Sequence, residues 1–269
     1  MMPLCDAAQK AMVLSQGGAG GAWLRAIPSE RAFQMQSLRF QVAMRRRLRW
    51  SLPLTNHNCR GKTCRQAHDS FGDHPASCPR SGLLKLRSRP IEKIWVRILR
   101  EAGARVRENV SLREAGIAVQ GGDGRNIEIV ATGLPICHGI PAVIDATLVS
   151  PLQTDGRPHP HADSRVGVAL ARAHRSKETT YPELIESSRL RLLVVAVEVG
   201  GRISAETAKL LVDLAGFKAL SETEALRGGI ARMWRSRWTT RMLSVACQDA
   251  SSATLVDDGV DFLDAVGDS

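Results

Sequence analysis

The order of apolar and polar positions predicts alternating helices and strands from about residue 90 to residue 218. Between Pro90 and Gly103, apolar residues fall at helical spacing on one face of residues 91–102. Runs of apolar and β-branched residues predict strands at 104–112, 124–132, 141–149 and 189–199. Further helices are predicted over about 164–177 and from Ser204 through residue 216. This order indicates a mixed α/β sandwich.

The segments on the N-terminal side of this core have a different composition. The glycine-rich stretch 17–24 predicts a flexible lead-in, and Ser29 is predicted to cap a helix that runs to Trp50. Residues 51–90 are rich in Cys, His, Pro and Gly and show little periodicity. Such a segment buries little apolar area, so it needs another source of stability.

The C-terminal part predicts a long basic helix. Ser221 and Glu224 form a capping-box pattern that would open it, and the acidic stretch from Asp257 to the end is expected to fray. The chain is therefore divided into four predicted parts: a basic helical lead-in (1–50), a segment rich in Cys and His (51–88), an α/β domain (89–220), and a basic C-terminal helix with an acidic tail (221–269).

Four potential metal ligands lie in the loop-rich segment. Cys59, Cys64, His74 and Cys78 have the spacing C-x4-C-x9-H-x3-C, and three thiolates with one imidazole are a common ligand set for tetrahedral Zn²⁺. Bound zinc would also supply the folding free energy that this segment lacks. His57 and His68 are spare candidate ligands. The competing interpretation is that the cysteines are scattered and reduced and that the histidines are incidental. Cys5, Cys137 and Cys247 are isolated and are interpreted as small hydrophobic residues.

Two acidic residues lie inside predicted strands. Asp145 is surrounded by apolar residues in VIDATLV, where an unpaired carboxylate would cost several kcal/mol. Glu128 lies in IEIVA, and if the two strands are neighbours, the carboxylates can converge on a cation such as Mg²⁺. Lys177 and Tyr181 are four residues apart and would share a helix face beside them. Each residue also has an ordinary explanation, such as a solvent-facing Glu128 or a packing role for Tyr181.

The charge of the chain favours a polyanionic partner. The formal net charge is +10, and the excess of basic residues lies in residues 1–110. Two basic clusters are candidate nucleic-acid contacts, namely Arg45, Arg46, Arg47 and Arg49 in the first and Arg235 and Arg237 in the second. Trp234 and Trp238 accompany the second cluster and could stack on an unpaired base. We favour the alternative, in which this pair faces the core and the arginines are merely solvated.

The ordered set of these features resembles a known family. From about residue 22 to residue 250, the chain is similar to the segment downstream of the reverse transcriptase in non-LTR retrotransposon polyproteins of the site-specific, restriction-enzyme-like type. The resemblance rests on GAWLRAIPS, the Cys59–Cys78 cluster, and then IEIVA, VIDATLV and KETTY. It implies a CCHC zinc knuckle followed by an endonuclease domain of the PD-(D/E)XK fold, that is, a mixed-sheet restriction-endonuclease-like core.

The resemblance also implies roles for particular residues. Glu128 takes the first acidic position, Asp145 the second, and Lys177 with Tyr181 the last motif. The chain departs from the family pattern in two places. Glu128 stands where the family usually has an Asp next to a Pro, and Thr147 stands where an orthodox nuclease of this fold carries lysine, so Lys177 must reach in from a helix.

Three functions are therefore weighed. The first is a Mg²⁺-dependent DNA endonuclease derived from a retrotransposon, with Zn²⁺ in the basic module in front. The second is a non-catalytic zinc-containing module that binds DNA or RNA, and the third is an inactive remnant of such an element. All three predict an intracellular, nuclear protein with no secretory signal, no membrane span and no small-molecule cofactor, and they leave its oligomeric state and DNA target open.

Overall fold

The computed structural model describes residues 6–55, 58–59, 61, 63–119 and 123–257. In this part of the chain the α-helices are α1 (Ala7–Ser15), α2 (Ser37–Leu48), α3 (Asp73–Ser77), α4 (Leu83–Ala102), α5 (Val168–Thr180), α6 (Pro182–Glu186), α7 (Ala205–Lys218), α8 (Glu224–Ser236) and α9 (Ser244–Asp257). The strands are β1 (Arg105–Ser111), β2 (Asn126–Thr132), β3 (Ala142–Val149) and β4 (Arg191–Glu198). A π-helical segment, Arg237–Leu243, joins α8 to α9.

The described strands form a mixed sheet in the order β1-β2-β3-β4. The pairs β1–β2 and β2–β3 are antiparallel, whereas β3 and β4 are parallel. The connection between the two parallel strands contains α5, as parallel pairing requires a crossover. The predicted mixed α/β class is therefore confirmed, together with its strand positions to within a few residues.

The sheet separates two apolar clusters. On one face, α4, α7 and the C-terminal helices bury Trp95, Ile98 and Trp238 against alternate residues of β3 such as Ile144. On the other face, α5 buries Leu170 against Val143 and Val194. Helices on both faces explain why β3 and β4 read as nearly continuous apolar runs. Both faces of β3 are thus closed to water, and this is the environment into which the fold places Asp145.

Helix α4 begins eight residues earlier than the sequence predicts. It starts at Leu83, after Gly82 in a left-handed conformation, so Pro90 lies inside the helix and not in its first turn. The apolar stripe explains the difference, because Arg87 lies one turn before Ile91 on the same buried face. The predicted end at Gly103 is confirmed, since this residue caps the helix with φ 103°.

The glycine-rich lead-in is ordered by close backbone packing. Residues Gly18–Arg25 form a 3-10 helix, and Trp23 is buried. A Cβ atom on Gly20 would lie 2.7 Å from the carbonyl oxygen of Gly200, so only glycine permits this approach. The prediction of a flexible lead-in is therefore wrong, because the glycines serve contact between two backbones.

The predicted helix after Ser29 is also shorter than expected. A single 3-10 turn at Arg31–Phe33 comes first, and α2 begins only at Ser37, with Gln36 at its N-cap. Phe33 is buried in the main core, under the guanidinium groups of two arginines from other elements. Burial of Phe33 turns the chain away from a continuous helix, so Ser29 does not cap one.

The start of the basic C-terminal helix differs in the same way. The N-cap of α8 is Thr223, and the hydroxyl of Ser221 donates to the carbonyl oxygen of Lys218 instead of capping the helix. The capping-box prediction is wrong, because Ser221 belongs to a 3-10 turn, Ala219–Ser221, that continues from α7. By contrast, Ser204 caps α7 as predicted, accepting a hydrogen bond from the backbone N–H of Thr207.

The terminal elements share the main core with the sheet. Helix α9 packs along both α2 and α4, so parts assigned to the lead-in, the α/β domain and the C-terminal region lie against one another. The four-part division of the chain stays a prediction. Among the described residues, no helix combines the length and the apolar character needed to cross a bilayer. The predicted spare ligand His57, Cys5 and the acidic tail beyond Asp257 lie outside the described residues.

Candidate functional site

Glu128 and Asp145 meet where β2 and β3 separate. The two strands are paired from Ala131 to Ile129 and stop just before Glu128. In a continued ladder the backbone N–H of Ala146 would bind the opposite strand, but here it donates to Glu128 Oε2 at 2.7 Å. A carboxylate side chain thus replaces a ladder hydrogen bond, and this places Glu128 against the residue that follows Asp145.

A local distortion of β2 accompanies this contact. Ile127 and Val130 pack in the same cluster although they are three residues apart, so the two-residue alternation breaks between them. The position opposite Glu128 in the β1–β2 register is Asn109, whose φ of 52° is left-handed. Asparagine tolerates this conformation better than most residues. The sequence gives no periodicity signal for such a break.

Lys177 completes the cluster from the neighbouring helix. It lies in the last turn of α5, and its Nζ atom is 2.9 Å from Asp145 Oδ1. The Asp145 side chain is 4% exposed and that of Lys177 27%, so the pair is largely shielded from water. The structure therefore brings Glu128, Asp145 and Lys177 together, as their predicted roles require.

Burial perturbs both carboxylates, and the charge of Asp145 also acts on Glu128. Burial is the main cause that raises the pKa of Glu128 to about 8, and the charge of Asp145 raises it further. Burial likewise raises the pKa of Asp145, against the opposing effect of Lys177. For Lys177, burial alone would lower the pKa, but Asp145 raises it above its ordinary value. Acids held in this way are typical of functional sites, where a cation relieves the repulsion.

Tyr181 acts on the site through the backbone of β2. It is the C-cap residue of α5 and is 9% exposed, so it does not continue the helix face of Lys177. Its hydroxyl donates to the carbonyl oxygen of Asn126 at 3.2 Å, two residues before Glu128. This contact indicates that Tyr181 is a positioning residue. It does not support the predicted catalytic role of Tyr181.

Two further residues support the site and were not predicted. Arg125 forms ion pairs with Asp123 at 2.6 Å and with Glu183 of α6 at 2.5 Å, which ties the residue before β2 to α6. Glu92 of α4 adds negative charge that contributes to the raised pKa of Glu128. The sequence offers no motif for either residue, because both act across long chain separations.

The Cys–His segment forms a second, separate site. The ligand atoms of Cys59, Cys64, His74 and Cys78 all lie within 4.8 Å of one another. Cys59 Sγ is 3.8 Å from Cys78 Sγ, and Cys64 Sγ is 3.5 Å from His74 Nε2. Ligands at about 2.0–2.3 Å from a tetrahedral zinc ion lie roughly 3.4–3.8 Å apart, so these separations fit zinc. The four side chains form a site that could bind zinc, as predicted.

The surrounding chain orients these ligands. Asp69 accepts hydrogen bonds from the backbone N–H groups of Phe71, Asp73 and His74, which fixes the start of α3. Burial alone would raise the pKa of Asp69, but these three bonds lower it. His74 Nδ1 lies 2.6 Å from the carbonyl oxygen of Thr154. A proton shared there leaves Nε2 free as a metal ligand, which is the usual outer contact of a zinc-bound histidine.

Arg87 joins the Cys–His segment to the sheet. It is 4% exposed, and it donates to the carbonyl oxygens of Ala76 in α3 and Leu148 in β3. Burial lowers the pKa of Arg87 to about 10. Ser77 of α3 adds a hydrogen bond to the carbonyl oxygen of Gln153, in the loop after β3. The Cys–His segment is therefore held against the same strand that carries Asp145.

The first predicted basic cluster is largely used inside the protein. Arg46 and Arg49 both pair with Asp73, at 3.3 Å and 2.8 Å, and their side chains are 7% and 6% exposed. Arg47 donates to the carbonyl oxygen of Gly20, and Arg45 to that of Ser51. For Arg46 and Arg49, the prediction of a nucleic-acid contact conflicts with their burial, because a phosphate could not reach them.

The second predicted cluster divides in two. Arg237 pairs with Glu30 at 3.0 Å and with Glu101 at 2.8 Å, so it stabilises the core, whereas Arg235 is exposed. Trp238 is fully buried and donates to Glu101 at 2.8 Å. Trp234 packs beside it, with ring centroids 5.4 Å apart. The favoured interpretation of a core-facing tryptophan pair is confirmed.

Glu198 is a buried acid outside the carboxylate–lysine cluster of Glu128, Asp145 and Lys177. It ends β4, is 2% exposed, and lies 3.8 Å from the Nε atom of Arg202. Burial raises the pKa of Glu198 to about 7. The folded protein therefore holds a proton that the unfolded chain releases near its ordinary pKa of 4.5.

We expect Glu198 to make stability depend on pH. The folded state binds more protons between pH 4.5 and 7, so the free energy of unfolding falls as pH rises through this window. The Glu198→Gln variant lacks this contribution. The total fall in its free energy of unfolding from pH 5 to pH 8 should therefore be smaller by on the order of 2–3 kcal/mol. Urea unfolding at pH 5 and pH 8 measures the effect. Parallel pH dependences for wild type and variant would contradict it.

No protein-family model matches the chain. A search of curated proteins likewise finds no match.

Proposed function

We propose that the protein is a divalent-metal-dependent endonuclease that hydrolyses phosphodiester bonds of DNA. The observation that carries this proposal is the convergence of Glu128, Asp145 and Lys177 at the point where β2 and β3 separate. The retrotransposon resemblance and the PD-(D/E)XK fold belong to the same proposal. The mixed sheet and the zinc-compatible module beside it are compatible with both.

The carboxylates are suited to hold a hard cation. Asp145 is buried, Glu128 is half-buried, and both have a raised pKa, so two negative charges there require compensation. Carboxylate oxygens are the ligands that Mg²⁺ prefers, so Glu128 and Asp145 would hold it. When bound, such an ion polarises the phosphate and activates water.

The chain itself contributes orientation and charge. Lys177 stays protonated beside Asp145, and its ammonium group would donate to a non-bridging phosphate oxygen as negative charge develops there. Tyr181 holds β2 so that Glu128 keeps its place. In the reaction, a water oxygen bonds to phosphorus while one P–O ester bond breaks, and the water proton passes to the departing oxygen. By the family resemblance, the nick would leave a 3′ hydroxyl for priming reverse transcription.

Lys177→Gln tests the proposal at a residue whose side chain is 27% exposed. The variant keeps a hydrogen-bonding side chain that is one bond shorter but loses the charge, so plasmid nicking with Mg²⁺ should fall by about 10²–10³-fold. Lys209→Gln is the control, because Lys209 is an exposed lysine paired with Asp213 on α7. If wild type nicks no plasmid under any divalent cation, the endonuclease proposal fails.

A second function is favoured by one specific observation. Asp145 is already compensated by Lys177 at 2.9 Å, so the cluster is stable without a cation. This would suit a non-catalytic zinc-containing module that binds nucleic acid. That alternative predicts tight, salt-sensitive binding together with no Mg²⁺-dependent cleavage, and the nicking assay separates the two.

A further inference from the structure

The segment from residue 157 to residue 177 is basic although the C-terminal half of the chain is not. It contains five Arg or Lys residues and one Asp. The average charge of the half conceals this, because acidic residues elsewhere, above all in the C-terminal tail, offset it. The segment comprises the loop after β3 and most of α5, the helix that carries Lys177.

Two joined clefts run along this segment. One, of about 260 Å³, is lined by Lys177, Thr147, His159 and Arg172. The other, of about 420 Å³, shares His159 and Arg172 with the first and extends to Arg165 and Arg175. Because Thr147 follows Asp145 by two residues on the same strand, the first cleft adjoins the carboxylate–lysine cluster. The two clefts therefore share a wall and lie side by side next to the proposed site.

The arginines along these clefts are free to bind an anion. Arg165, Arg172 and Arg175 are exposed, and none of them pairs with a carboxylate in the part of the chain that the structure describes. Arg172 is oriented by His159, with Nη1 3.3 Å from Nδ1. Arg157 differs, because it lies 3.6 Å from Asp155. This is the reverse of the situation at Arg46 and Arg237, whose charges are consumed inside the fold.

We propose that Arg165, Arg172 and Arg175 form the track along which the DNA backbone approaches the proposed cleavage site. The inference rests on the proposed function, and it names the surface that holds the substrate. Arg172 precedes Lys177 by five residues, or about 7.5 Å along the helix axis. This is close to two nucleotides of a duplex strand, which rise about 3.4 Å each. The spacing therefore places Arg172 near a phosphate about two nucleotides from the one that is cleaved.

The test compares two variants with the same loss of charge. The track variant is Arg165→Gln/Arg172→Gln/Arg175→Gln, and its matched control is Arg113→Gln/Arg227→Gln/Arg232→Gln, with three exposed arginines away from the clefts. Both are titrated with a fluorescent 30-base-pair duplex in buffer without Mg²⁺ across a range of KCl concentrations. The track variant should bind about 10²-fold more weakly at 0.1 M salt, with a salt slope shallower by about 2–3, since each phosphate contact contributes about 0.9. The control should change affinity less than about threefold.

The outcomes separate the two proposals. Equal losses in the track variant and the control variant, or a larger loss in the control variant, would overturn the track. A failed proposed function looks different: no Mg²⁺-dependent nicking, with the track variant still deficient in binding. Thermal unfolding of both variants shows whether either one is misfolded. If the track variant is unstable, Arg172→Gln alone should still lower affinity about fivefold, and an unchanged affinity would reject the track.

Discussion

Asp145→Asn should abolish plasmid nicking, lowering the rate by about 10³-fold or more. The substitution keeps the shape of the side chain but removes the charge that faces Lys177 at 2.9 Å and that would hold the metal ion. A loss of this size corresponds to about 4 kcal/mol of transition-state stabilisation, which is the scale of one strong charge interaction in a dry site. The measurement is the initial rate of supercoiled-plasmid relaxation at saturating Mg²⁺.

The control for this experiment is another buried carboxylate on the neighbouring strand. Glu198→Gln also neutralises an acid with a raised pKa, at a position that does not contact Lys177. It should nick DNA at the wild-type rate. DNA binding by Asp145→Asn in buffer without Mg²⁺ should be close to wild type, because the proposed arginine track is intact. Equal nicking by Asp145→Asn and wild type would remove Asp145 from the mechanism.

Much of the candidate site could be predicted because it depends on local chemistry. Asp145 in an apolar strand is costly unless something compensates it, and the sequence alone shows this conflict. The compensating residue, Lys177, lies in the crossover that returns the chain to the parallel partner strand β4. The geometry that joins Glu128 to this pair could not be predicted. It requires β2 and β3 to stop pairing at one residue and Asn109 to adopt a left-handed conformation.

The predicted nucleic-acid contacts show the opposite limit. A run of arginines reveals a local excess of charge but not where the carboxylates of distant segments will lie. Asp73 is 27 residues from Arg46, and Glu30 is 207 residues from Arg237. Both pairs form only when the chain is folded. The exposed arginines of α5 escape notice in the sequence because they are spaced along a helix and do not cluster in it.

The fold class follows from apolar periodicity, whereas the element ends do not. Strand positions were predicted to within a few residues because both faces of β3 and β4 are covered and their runs are unambiguous. The sequence predicts a flexible segment around Gly20, because its close approach to Gly200 leaves no signal in the local sequence. Arg87 could have been found, because extending the apolar stripe of α4 backwards places it on the buried face.

Cys78→Ala should remove zinc from the protein and lower its melting temperature by about 10 °C. Cys78 is 1% exposed and is one of four ligands, so its loss leaves three donors around an ion that requires four. Zinc binding supplies folding free energy to a segment with little apolar core, and 1 kcal/mol shifts the melting temperature by about 2–4 °C in a domain of this size. Elemental analysis should fall from one zinc per chain in wild type to near zero. Cys137→Ala, at an isolated cysteine, should keep full zinc content.

The consequence of zinc loss should extend beyond the ligands, because the segment is attached to the strand of Asp145. His74 contacts the carbonyl of Thr154, and Arg87 links Ala76 to Leu148, three residues after Asp145. Loosening α3 therefore disturbs the loop after β3, which forms one wall of the arginine clefts. Cys78→Ala should lower DNA affinity even at temperatures where α5 and the sheet remain folded by circular dichroism. Zinc-free wild type with unchanged stability would instead show that the three cysteines are reduced thiols beside an incidental histidine.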